Sequence, residues 1–281
     1  MTQSNLSKPL RSKHRHISFT AHYTGYRWYM MGISHPAFAT TQGKFLTGLL
    51  QPIEAGAERF IGGSIRTTLQ QRHTLIDATL IDLLAQHPNL QIIEIATGLS
   101  PRGWHFRNHY PGLIYIEVDL PNMARIKKQA LQKAGQPDAQ VLAIDLFTPQ
   151  IQDMFEPLDR KAPLVVISEG LVNYFDKAAL KTLWTSLAEY GREFDHFYYL
   201  TDLCPEPIQH PLANLVWNSS KLLKFLSRSA FSFHFTTPDE VKNFFLNCGY
   251  HQVSIQQPSQ KDHTPSTAHL GDFVWVVLAE I

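Results

Sequence analysis

Short apolar runs in the middle of the chain end in polar or glycine-bearing clusters of the kind that hold a nucleotide cofactor. The first cluster is Ile93-Glu94-Ile95-Ala96-Thr97-Gly98-Leu99-Ser100-Pro101-Arg102-Gly103. It reads as a strand, a small-residue turn and a helix, with Ser100 as N-cap and Pro101 in the first helical position. Gly98 permits a backbone conformation closed to other residues, and small neighbours let a ligand approach the main chain. A turn of this kind also serves ordinary packing. The next run ends in Asp119, about twenty residues further on, where a carboxylate can accept both hydroxyls of a ribose or, alternatively, cap the helix that starts at Pro121. Asp145-Leu146 ends the third run: an acceptor for an adenine amino group beside an apolar neighbour for the ring, with capping before Pro149 as the plainer alternative. Glu169 follows four apolar residues and the strand-end Ser168, in Ser168-Glu169-Gly170-Leu171, and is expected to face a cleft because a buried carboxylate needs a partner.

These clusters need a scaffold that brings strand ends together. Strands are expected over 91–96, 113–119, 140–144, 164–168 and 194–201, alternating with helices over 101–109, 121–134, 148–155 and 176–190. Such alternation implies a parallel sheet with helices on both faces, a doubly wound, Rossmann-like α/β domain over 89–281. A helix over 238–247 and strands over 250–256 and 272–279 bring the sheet to seven strands, and a polar loop spans 258–269. Between about 204 and 235 the alternation breaks for far longer than a normal connection, so an insertion is expected there, its core at 212–226 packing beside the strand ends. Residues 1–16 read as a flexible polar tail and 17–88 as a helical cap or lid. The cap begins with Phe19, His22, Tyr23, Tyr26, Trp28, Tyr29, His35 and Phe38, which show no clean period and serve either as a substrate lid or as plain packing. It ends in an amphipathic helix over 58–85, carrying Leu69, Leu75, Ile76, Leu80, Leu83 and Leu84 and interrupted near Gly62 and Gly63.

Composition narrows the function classes. The chain has 281 residues, 44% hydrophobic and 17% charged, ample for a buried core, so disorder is excluded. Lys and Arg number 25 against 24 Asp and Glu, leaving no global field for a polyanion and excluding a dedicated nucleic-acid binder. The basic run Lys8, Arg11, Lys13 and Arg15, with His14 and His16, reads as a solvated tail or else a phosphate-binding arm. Cys204 and Cys248 read as reduced thiols. No apolar stretch reaches the ~18 residues of a membrane span and no signal-peptide core is present, so a cytoplasmic protein is expected. Of 14 His, the local pairs His14/His16 and His105/His109 lack a companion Cys or carboxylate set, so no metal is expected. No Gly-x-Ser-x-Gly elbow or P-loop occurs.

Glu117-Val118-Asp119-Leu120-Pro121 together with Ser168-Glu169-Gly170-Leu171 resembles the leucine carboxyl methyltransferase family of class I S-adenosylmethionine-dependent methyltransferases, including its bacterial members linked to polyketide O-methylation. The likeness runs from about Ile17 to the C-terminus. It implies a methyltransferase sheet, S-adenosylmethionine as cofactor, and a small-molecule acceptor methylated on a carboxylate or hydroxyl. It also implies that Gly98 contacts the methionine moiety, Asp119 the ribose, Asp145 and Leu146 the adenine, and Glu169 the amino end. Arg72, in an Arg-x-x-x-x-Asp pattern with Asp77, would take the cofactor carboxylate. Two departures stand out: Ala96 occupies a family glycine position, which suggests a slightly wider turn, and Ser100 stands where an Asp usually precedes Thr-Arg, so a hydrogen bond there is weaker. A carboxylate acceptor needs no general base; for a hydroxyl, His22, Tyr23, Tyr26 and Tyr199 are the candidate base or orienting groups. The alternatives are a nicotinamide-dependent oxidoreductase, which shares the turn and acidic second strand but requires Gly-x-Gly-x-x-Gly, and a non-catalytic ligand-binding protein of the same fold. Calorimetry separates these: S-adenosylhomocysteine is expected to bind and NADH to give no heat, and the reverse result excludes the resemblance as a guide to the cofactor.

Overall fold

In a computed structural model of the chain, residues 17–50, 65–206, 232–257 and 274–281 are described. The expected 1–16 tail, the break at Gly62 and Gly63, the insertion core at 212–226 and the 258–269 loop lie outside the described residues. The apolar runs form β1 (Gln91–Ile95), β2 (Tyr115–Asp119), β3 (Gln140–Ala143), β4 (Leu164–Ser168), β5 (Phe197–Leu203), β6 (Gln252–Gln256) and β7 (Trp275–Glu280). They make one sheet in the order β3-β2-β1-β4-β5-β7-β6, parallel through β5 and antiparallel where β7 pairs with β5 and β6. Strand order reverses between β1 and β4, and ligands of open α/β sheets bind beyond the strand ends at such a switch point. There Ile95 lies between Val118 of β2 and Ser168 of β4.

Both faces of the sheet are buried, which is why β4 reads as a nearly continuous apolar run. On one face Ile93, Ile95 and Val166 pack with Leu180, Leu183 and Trp184 of a helix at Lys177–Gly191. On the other, Ile92, Val165 and Ile167 pack with Leu75, Ile76, Leu80 and Leu83 of α2 (Ile65–Gln86). Helix α3 (Arg102–His109) follows β1, and α4 (Pro121–Lys133) follows β2.

The aromatic segment that shows no period in the sequence is a helix, α1 (Ile17–Met30). Its pattern is obscured because small residues face the domain where large ones would be expected. A side chain at Gly25 would collide with Leu99, 2.6 Å away, and with the Phe38 carbonyl, so α1 sits directly on the turn after β1. The 148–155 segment is a 3-10 helix at Pro149–Met154 rather than an α-helix, and β5 runs two residues past its expected end, to Leu203. Helix α3 begins at Arg102, with Pro101 in the N-cap position. Ser100 nevertheless accepts the Arg102 N–H at 3.2 Å.

Ala96, where a slightly wider turn is expected, keeps a glycine-like backbone conformation. Among the described residues Ala96 alone, apart from glycines, has a positive φ, 52°, so it holds the left-handed conformation that a glycine adopts freely. Such a conformation costs an alanine about 1–2 kcal/mol, while a glycine gives the unfolded chain about 0.4–1 kcal/mol more freedom. Ala96→Gly is therefore expected to stabilise the protein by roughly 0.5–1 kcal/mol in chemical denaturation. A loss of stability would mean that the Ala96 methyl packs more usefully than its backbone is strained.

Candidate active site at the strand ends

At the switch point the structure brings Gly98 to Asp119 and Arg72 to Glu169. Asp119 joins the ends of the first two strands: its Oδ2 accepts the Gly98 N–H at 2.7 Å and its Oδ1 the Leu120 N–H, also at 2.7 Å. It thus braces the turn after β1 and the lead into α4, whose N-cap Leu120 makes no side-chain cap, and each oxygen keeps a lone pair for a further donor. Gly98 has φ +50°, and the space beside it is filled by Ala21 of α1, which a Cβ there would approach to 2.9 Å. The glycine therefore admits the cap helix, a role the sequence did not suggest. Thr97 is buried in the same turn, and its hydroxyl has no hydrogen-bond partner. Asp145 bends its own loop, Oδ1 accepting the Phe147 N–H at 3.1 Å; Leu146 is partly buried against the core, and Phe147 packs on Phe175 with centroids 4.8 Å apart.

Glu169 does not open onto a cleft. Its side chain is 3% exposed and both oxygens are occupied: Oε1 by Arg72 Nε at 2.8 Å, Oε2 by Arg102 Nη2 at 2.6 Å and by the His73 ring at 2.9 Å. Arg102 is fully buried and also donates to Asp77 at 2.5 Å and Glu94 at 3.0 Å. Asp77 thus belongs to Arg102 and, at 3.5 Å, to His73, while Arg72 turns to Glu169 and, at 3.6 Å, to Asp202. Burial alone would raise the Glu169 carboxyl, but Arg102, His73 and Arg72 more than reverse this and hold it well below the usual carboxylate range.

Of the acceptor-side candidates, His22 is buried on α1, hydrogen-bonded through Nδ1 to Thr40 at 2.9 Å, and burial lowers its pKa. Tyr23 accepts from Arg27 at 3.1 Å, and Tyr26 lies against Tyr29. Tyr199 is not brought to this group. It is fully buried in the core beside Trp184, its hydroxyl 2.7 Å from Ser168 Oγ, and burial raises its pKa. His73, Glu94 and Asp202 are the residues that motif reading missed. Glu94 carried a signal, an acid inside an apolar strand; Asp202 carried the same strand-end signal as Asp119, one residue beyond the expected strand. Among the described residues no group of three or more His, Cys, Asp or Glu is placed to hold a metal, and no helix is long and apolar enough to cross a membrane.

This architecture is that of the Rossmann-like methyltransferases. A methyltransferase from Thermobifida fusca superposes with TM-score 0.60 at 12% identity, covering 94% of this chain and 93% of that one. PigF, solved with SAH, gives TM-score 0.51 at 11% identity over 94% and 70% of the two chains. An O-methyltransferase from Nostoc punctiforme gives 0.50 at 15% identity over 92% and 73%. No curated protein sequence matches significantly. The leucine carboxyl methyltransferase family matches residues 42–188, and the chain belongs to that family. It is an S-adenosylmethionine-dependent methyltransferase.

Burial pushes the Asp119 carboxyl up to about 6 from an ordinary 3.8, against the opposing pull of the Gly98 and Leu120 N–H groups. Because the folded value is the higher one, the ligand-free protein loses stability as pH rises from about 3.8 through about 6. A ribose diol needs the charged form as acceptor. S-adenosylhomocysteine affinity is accordingly expected to be level above pH 7 and to fall roughly tenfold by pH 5. Calorimetry across this range checks it, and Asp119→Asn should bind weakly with no such step; an identical step in the variant would place the titrating group elsewhere.

Proposed function

We propose that the protein transfers the methyl group of S-adenosylmethionine to an oxygen, carboxylate or hydroxyl, of a small polyketide-like or other metabolite. The reading is supported by one observation: at the switch point Asp119 of β2 holds the Gly98 turn after β1, and the buried Thr97 hydroxyl of that turn has no hydrogen-bond partner among the described residues. The residues fit the cofactor. Asp119 offers two acceptors for the ribose, Asp145 and Leu146 a polar and an apolar contact for the adenine, and Gly98 the turn beneath the methionine moiety. Arg72 serves the carboxylate, held for it by Glu169 at the amino end. The cofactor supplies an activated methyl group when bound, and the chain's part is alignment and exclusion of water.

Helix α1 covers this site, since Ala21 meets Gly98 and Gly25 meets Leu99. His22 follows Ala21, and its lowered pKa keeps a ring nitrogen free to accept a proton if the acceptor is a hydroxyl. Tyr23 and Tyr26 provide orienting groups on the same helix. The family's name and the Nostoc punctiforme neighbour both support an oxygen acceptor. The test is transfer from methyl-labelled S-adenosylmethionine to small molecules of a cell extract. Label is expected in the low-molecular-mass fraction as an ester, released by mild base, or as a base-stable ether. Asp119→Ala should lower transfer at least tenfold, the loss of charge-assisted hydrogen bonds of about 1.5–3 kcal/mol. Label confined to nitrogen or to macromolecules would overturn the proposal.

A further inference from the structure

A single side chain fastens the chain beyond β5 to the turn after β4. Asn173, buried in the 3-10 turn Val172–Tyr174, donates through Nδ2 to the Cys204 carbonyl at 3.0 Å and to the Ser232 carbonyl at 2.8 Å. Its Oδ1 accepts the Cys204 N–H at 2.8 Å, and its own backbone carbonyl accepts the Ser232 N–H at 2.8 Å. Both amide hydrogens and the side-chain oxygen are thus engaged, a task that needs two donors and an acceptor on one short side chain. Beside it the Glu206 N–H donates to the Phe235 carbonyl at 2.8 Å, and His234 Nε2 donates to the Phe175 carbonyl at 2.6 Å. Two limbs of chain, 204–206 and 232–235, therefore lie together against residues 173–175.

This fastening stands where an acceptor has to arrive. In the proposed placement of the cofactor, adenine belongs to the end of β3, ribose to β2 and the methionine moiety to the turn after β1, so along the order β3-β2-β1-β4-β5 the methyl group lies toward β4 and β5. Tyr174 and Cys204, next to Asn173 in the chain and across the hydrogen bonds, lie within electrostatic reach of Arg72, and the Tyr174 hydroxyl bonds Thr20 of α1. Burial pushes the Cys204 thiol up to about 12 and raises the Tyr174 phenol, so both stay uncharged. Connecting segments hold binding residues in place only as well as their roots are anchored to the rigid elements. We infer that Asn173 is a positioning residue for the methyl acceptor, holding both limbs beyond β5 against the turn after β4 and so fixing the shape of that side of the site. The inference rests on the proposed transfer to a small molecule.

The test compares wild type with Asn173→Ala and Asn173→Asp. The aspartate substitution keeps the shape and the acceptor for the Cys204 N–H but sets a carboxylate against two carbonyls, so it should do as much damage as alanine although it is nearly isosteric. With the low-molecular-mass fraction of a cell extract as acceptor, titrated by dilution at saturating S-adenosylmethionine, half-saturation should need roughly fivefold more extract or greater in both variants. Affinity for S-adenosylhomocysteine in calorimetry should stay within about twofold of wild type. Iodoacetamide should alkylate Cys204 about tenfold faster in both variants, while Cys248, buried elsewhere in the core, keeps its wild-type rate. An aspartate variant that behaves as wild type would mean that Asn173 only fills space, a parallel fall in S-adenosylhomocysteine affinity would assign it to the cofactor site, and unchanged Cys204 alkylation would mean that the limbs are held without it; each result overturns the inference. In wild type the Cys204 and Ser232 amides should exchange hydrogen slowly, and fast exchange at either overturns it even if neither variant folds. Absence of any transfer by wild type would instead refute the small-molecule reading beneath it, with alkylation and exchange still deciding whether Asn173 holds the limbs.

Discussion

The guanidinium of Arg102 is enclosed by protein on every side, and the structure around the site is arranged to make that burial tolerable. A buried cation is stable only when paired and fully hydrogen-bonded, and leaving one side of a buried pair unmatched costs about 3–5 kcal/mol. Arg102 meets the requirement by gripping Asp77 on α2, Glu94 in β1 and Glu169 after β4, with the His73 ring 2.9 Å from Nη2. Four elements remote in sequence are thus fixed at one point, directly beneath the turn that follows β1. The cap helix α2 is held to the sheet by charge as well as by its leucines.

A second buried group repeats the device one strand over. Glu117 neighbours Glu94 across the parallel pairing of β1 and β2, a juxtaposition of like charges inside the protein. It is tolerated because each acid has its own cations: Glu117 takes Arg107 at 2.9 Å and the fully buried Lys127 at 2.8 Å. Lys127 lies 2.6 Å from the Ser100 carbonyl as well, which ties α4 to the end of the turn. The turn is therefore held from below by Lys127, from the side by Asp119 and from above by Ala21 and Gly25 of α1. That confinement explains how Ala96 can be kept at a positive φ.

Much of this was legible in the sequence. Strands and helices of the doubly wound domain are set by runs that are apolar on both faces and by period-3.6 stripes, signals that are local and survive without tertiary context. Asp119 and Gly98 could be picked out because a strand-end acid and a left-handed turn residue are positional requirements of the chain itself. Helix α1 was not recognisable as a helix, because Gly25 and Ala21 are chosen for what they abut and carry no apolar period. Glu169 was expected to face a cleft and is instead enclosed: its partners Arg102 and His73 are 67 and 96 residues away, and nothing near it in the chain announces them. Asp77 and Arg72 were seen as one motif, yet packing gives the acid to Arg102 and the guanidinium to Glu169 and Asp202. The sequence by itself determined which residues form strands and which polar groups end them. Only the tertiary structure decided the order of the strands and the pairing of the buried charges, because a charge taken out of water is satisfied by whichever partner the fold brings within hydrogen-bond reach, at any distance along the chain.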